Sequence, residues 1–125
     1  MAYKKKCDRA IEALCEKLGP EYDLTYIDGE RVVHRKFDER FDVEISKAHT
    51  NNEKRRVNIY LWFREPYSSY MTVHSMFDVK RDDIPAAVEE LRKITERLIK
   101  NGHDNYRYIM HYKFPELGEE ERHEA

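Results

Sequence analysis

Two acidic residues, Asp42 and Glu44, stand two positions apart in the run Phe41–Ser46, FDVEIS. On a strand that spacing puts both carboxylates on one face about 7 Å apart, a separation suited to acid–base or metal chemistry. A metal-dependent nuclease with a restriction-type core would add a lysine two positions after the acidic residue. Here Ser46 takes that place after Glu44, and Lys47 comes one place late, on the opposite face. The pattern is not met, and a wet polar strand face accounts for the pair. The six histidines, at positions 34, 49, 74, 103, 111 and 123, form no zinc-type spacing with one another or with a cysteine. His34 and His74 could meet only on an open sheet face. There is no nucleophile elbow, glycine-rich phosphate loop or reactive-cysteine context. The expectation is a protein that is not an enzyme and uses no metal or cofactor.

Binding chemistry is better represented. Tyr60 and Trp62 alternate along a strand-like run between Arg56 and Arg64, an arrangement that can stack single-stranded bases. Tyr106, Tyr108 and Tyr112 with Arg107 and Lys113 repeat the theme. The neighbouring strand is acidic and would repel phosphate, so a protein-binding face rich in Tyr and Trp is the preferred reading. The residues expected to meet a partner are Asp42, Glu44, Asn58, Tyr60, Trp62 and His74.

These side chains need a scaffold, and the hydrophobic periods supply one. From Tyr3 to Leu18, Cys7, Ala10, Ile11, Leu14, Cys15 and Leu18 form one apolar helical stripe, stopped by Gly19-Pro20. The two cysteines would be about 12 Å apart along that helix, too far for a disulfide. Both are expected to be buried thiols. The period then changes to two: Tyr22–Ile27 and Arg31–Phe37 flank the hairpin signal Asp28-Gly29, followed by a turn at Asp38–Arg40 and by Phe41–Ser46. After a polar loop come Arg56–Arg64 and Tyr70–Val79, the latter with Met71, Val73, Ser75 and Phe77 on one face. Asp82 and Asp83 offer helix N-cap oxygens and Pro85 suits a first turn. The second helix runs to about Lys100, with Ile84, Ala87, Val88, Leu91, Ile94, Thr95, Leu98 and Ile99 inward. Glu89 to Lys93 and Glu96 to Lys100 are its favourable outer pairs. Tyr106–Phe114 leans to a last strand.

The order predicts an α+β two-layer sandwich: a mostly antiparallel sheet of five to six strands with two amphipathic helices on one face. The other face would carry His34, Lys36, Asp42, Glu44, Asn58, Tyr60, Trp62, Thr72, His74 and Met76. Residues 1–115 are read as a single domain and 116–125 as an acidic C-terminal tail. At 125 residues the chain is long enough to form a core without disulfides. Its 23 basic and 25 acidic residues give a net charge of -2, which attracts neither nucleic acid nor an anionic membrane by bulk charge. No apolar run has transmembrane length and no signal segment follows Met1–Lys6, so a cytoplasmic protein is expected.

The strand Phe41-Asp42-Val43-Glu44-Ile45-Ser46, a polar loop, and the strand Val57-Asn58-Ile59-Tyr60-Leu61-Trp62 resemble small accessory proteins of phages and mobile elements of Firmicutes. The Tyr-Ile-Asp-Gly hairpin upstream fits the same arrangement. The segment Asp104-Asn105-Tyr106-Arg107-Tyr108-Ile109 is similar to one in anti-CRISPR inhibitors of type II effector nucleases. The resemblance spans about residues 22–110 and carries over no catalytic residue. It implies an inhibitor whose protein partner is a CRISPR effector nuclease or its guide-RNA complex, with acidic side chains standing in for phosphates. An RNA- or single-strand-binding regulator is the alternative, and a small metal-dependent nuclease the third.

Overall fold

In a computed structural model of the chain, the described residues are 6–27, 29–48, 56–64 and 70–102, with side chains from residue 9 onward. They form α1 (Lys6–Leu18), β1 (Tyr22–Ile27), β2 (Glu30–Lys36), β3 (Phe41–Ser46), β4 (Val57–Arg64), β5 (Tyr70–Val79) and α2 (Ile84–Lys100), a 3-10 turn at Arg81–Asp83 leading into α2. The strands make one antiparallel sheet in chain order, β1-β2-β3-β4-β5. The fold is α+β. The sixth strand expected over Tyr106–Phe114 and the tail from Glu116 lie outside the described residues. Among the described residues, no helix is long and apolar enough to cross a membrane.

Local chemistry sets the reversals. Gly19 ends α1 at φ +121°, its N–H donating to the Cys15 carbonyl at 3.3 Å. Gly29 turns the first hairpin at φ +80°, a conformation that costs a side-chain-bearing residue. Between β2 and β3, Oδ1 of Asp38 accepts from the backbone N–H groups of Arg40 (2.8 Å) and Phe41 (2.9 Å), a local Asx turn.

The core is built by the odd positions of β3 and β4. Phe41, Val43 and Ile45 face Phe63, Leu61 and Ile59 across the strand pair, all fully buried. The Phe41 and Phe63 rings meet at 5.2 Å. One apolar cluster joins these residues to Ile11 and Leu14 of α1 and to Ile84, Val88, Leu91, Ile94 and Leu98 of α2. Burial of this surface is the main favourable term in the fold. An ion pair from Arg31 of β2 to Glu12 of α1, at 3.6 Å, ties helix to sheet.

Several expectations are corrected. Asp82 and Asp83 do not cap α2 with their side chains, because both lie in the preceding 3-10 turn. Ile99 is 41% exposed, off the inner stripe. On the outer side of α2, Arg92 pairs with both Glu89 and Glu96, and Lys93 with Glu90, instead of the expected Glu–Lys pairs. The guanidinium presents more donors than an ammonium and lies one turn from either carboxylate. Cys15 is half-buried against the core, with a thiol pKa raised by burial and then by Asp23.

Strand β5 departs most from simple alternation. Its pairing with β4 slips twice. Leu61 faces His74 while Trp62 faces Thr72, which leaves Val73 as an extra residue. Ile59 faces Met76 and Val57 faces Val79, which adds another near Asp78. Asp78 adopts φ +56° there.

Candidate functional site: a buried polar row under an aromatic one

Five of the six residues expected to meet a partner do share a face. Asp42 pairs opposite Trp62, Glu44 opposite Tyr60, and Ser46 opposite Asn58. His74 does not join them. The first bulge sets it opposite Leu61, on the core side, and Met76 follows it opposite Ile59. His34 and His74 therefore do not meet.

The wet face expected for β3 is corrected too. All six of its residues are buried, with Asp42 only 8% and Glu44 only 6% exposed. A buried carboxylate requires hydrogen-bond donors, and both have them. Nε1 of Trp62 donates to Oε1 of Glu44 at 2.9 Å. Nε2 of His34 lies 2.8 Å from Oδ2 of Asp42, while Nδ1 lies 3.1 Å from Oδ1 of Asp23 on β1. Asn58 works in the same inward manner, its Oδ1 accepting from the backbone N–H of Asp78 at 3.2 Å.

The hydrogen bond to Asp42 holds the His34 pKa above the ordinary histidine value. Burial opposes that rise, and the charges of Asp42 and Asp23 add to it. Burial alone pushes His74 the other way, below its ordinary value.

Over this polar row lies a line of four rings. Phe77 meets Tyr60 edge-on at 5.9 Å, Tyr60 meets Trp62 at 6.2 Å, and Trp62 meets Tyr70 edge-on at 6.3 Å. The Arg64 guanidinium sits 5.4 Å over the Tyr70 ring and continues the line. Beside Trp62 and Tyr70 opens a cavity of about 470 Å³ whose lining includes His34, Asp42, Arg64 and Tyr26.

No family model matches this chain, and no characterised relative or solved structure matches it either. Among the described residues no group of three His, Cys, Asp or Glu side chains is placed to hold a metal ion.

Sequence reasoning missed Asp23, Tyr70 and Phe77. Asp23 was within reach: the Asp28-Gly29 hairpin signal implies Ile27 opposite Glu30, and the observed register has that pair and Asp23 opposite His34. Tyr70 and Phe77 were not, because strict alternation along β5 assigns them to opposite faces.

Proposed function

We propose that this chain is a non-enzymatic binding protein that docks a protein partner on the aromatic side of its sheet. One observation carries the reading: the row Phe77–Tyr60–Trp62–Tyr70, whose end rings are 63% and 49% exposed. Exposed tyrosine and phenylalanine backed by a half-buried tryptophan have the composition of an interface centre. The reading takes the helices to cover the other side of the sheet in two layers. Support comes from the single apolar cluster that joins both helices to the odd positions of β3 and β4.

The most specific form of the proposal is an inhibitor of a type II CRISPR effector nuclease, acting in the cytoplasm. Its support is the sequence resemblance of the β3 and β4 runs. The route to the partner changes, however. Asp42 and Glu44 are buried and engaged by His34 and Trp62, so they cannot act as surface substitutes for phosphate. They hold the row from beneath, and the rings make the contact. Binding to purified effector nuclease, with and without guide RNA, tests this. Wild type should bind, and the double variant Tyr70→Ala, Phe77→Ala should lose about 2 kcal/mol or more of affinity while keeping its melting temperature. Equal binding by both proteins would remove the aromatic row from the interface.

A second reading, single-stranded nucleic acid, is favoured by Arg64 over Tyr70 and by the withdrawal of both carboxylates from the surface. It expects binding to a labelled oligonucleotide that weakens steeply with salt.

A further inference from the structure

We infer that the cavity beside Trp62 is a site for a purine nucleotide, with guanine the preferred base. The site shares Trp62 and Tyr70 with the aromatic row, but it takes its ligand inside the cavity beside them. Its two ends differ in charge. At the inner end, Oδ2 of Asp42 accepts from His34, and Oδ1 is buried with no donor among the described residues. One imidazole donor leaves that carboxylate short of partners, and Oδ2 keeps a second lone pair. This end therefore selects a ligand that brings N–H donors. At the outer end, Arg64 is exposed, and its guanidinium lies over the Tyr70 ring. This end selects an anion, phosphate above all.

Between the two ends, Trp62 and Tyr70, in edge contact with each other at 89°, both line the cavity and give a flat guest aromatic surface to pack against. A flat aromatic body with N–H donors on one edge and a phosphate on the other side is a nucleotide. Guanine presents adjacent N1–H and N2–H donors, the pattern that a carboxylate accepts most readily. Adenine offers a single amino group and cytosine a smaller stacking surface. The volume of about 470 Å³ lies in the range of small-molecule sites and takes a nucleoside monophosphate.

The chain contains one tryptophan, Trp62, and it lines this cavity, so tryptophan fluorescence reports on a ligand bound there. Titration with GMP should quench it saturably, and calorimetry should return the same affinity. Guanosine, lacking the phosphate, and AMP should each bind about tenfold or more weakly, a difference of about 1.4 kcal/mol. Arg64→Ala should reduce GMP to the level of guanosine and leave guanosine unchanged. Its exposed position keeps the fold intact, which circular dichroism checks. No saturable response to GMP, equal binding of GMP, AMP and CMP, or retention of full GMP affinity by Arg64→Ala would each overturn the assignment. Binding of a single-stranded oligonucleotide without any binding of GMP would overturn it too, in favour of a surface that reads strands.

Discussion

Each ring nitrogen of His34 faces a different carboxylate, Nε2 that of Asp42 at 2.8 Å and Nδ1 that of Asp23 at 3.1 Å. A neutral imidazole has one N–H and can donate to only one of them. The imidazolium donates to both. The three strands β1, β2 and β3 are thereby clamped through one proton.

That proton gives a pH dependence with a definite sign. The folded pKa of His34 is raised, so its contribution to stability is complete below the unfolded value of about 6.5 and is lost as pH rises through the folded value. His74, lowered by burial, acts oppositely: its contribution is present above about 6.5 and is lost as pH falls toward its folded value. NMR titration should place the two histidines on opposite sides of the ordinary value. Asp42→Asn should lower His34 more than Asp23→Asn does, because the Asp42 hydrogen bond is the leading cause and Asp23 is exposed. Equal effects of the two substitutions would show that the clamp is not asymmetric.

Trp62→Phe keeps an aromatic ring but removes the N–H that serves Glu44. Losing a donor to a carboxylate buried this deeply should cost about 1–3 kcal/mol, read by urea unfolding followed by circular dichroism. Trp62→Ala should cost more, contrary to the behaviour of a purely surface anchor. A variant as stable as wild type would mean that Glu44 is fully served by its other contacts.

Helix α1 contributes Ile11 and Leu14 to the core cluster, so Leu14→Ala should cost about 2–5 kcal/mol. Ile99→Ala, on an exposed position of α2, should stay within about 0.5 kcal/mol. Thermal melts of the pair provide the comparison. If the two substitutions cost the same, α1 is peripheral.

Asp78 holds φ +56°, a region unfavourable to a β-branched residue. Its contacts to Asn58 and Arg56 run through its backbone N–H and carbonyl. Asp78→Gly should therefore be neutral or stabilising, whereas Asp78→Val should cost about 1–2 kcal/mol. A stability loss in the glycine variant would assign a role to the side chain.

Element positions were largely legible because each has a local cause. The period-two runs from Tyr22 to Val79 became β1–β5 with boundaries shifted by a residue at most. The stripe through Ile11 and Leu14 became α1. What was not legible depends on neighbours. Burial of Asp42 and Glu44 follows from His34 and Trp62 reaching across from adjacent strands, and alternation within β3 carries no trace of that. The start of α2 was misread for a similar reason, since carboxylate side chains cap a helix only where the backbone approaches extended, and Asp83 does not.

The slip at Val73 and His74 has a consequence for how this surface can change. Tyr70 and Phe77 are separated by an odd number of positions, yet both rings belong to the same row, touching Trp62 and Tyr60. On an unbroken pleat one of them would point away from the other. The extra residue restores their agreement, much as an inserted letter shifts a reading frame. Deleting Val73 would leave every ring in the chain and still split the row, dividing the proposed docking surface by parity alone.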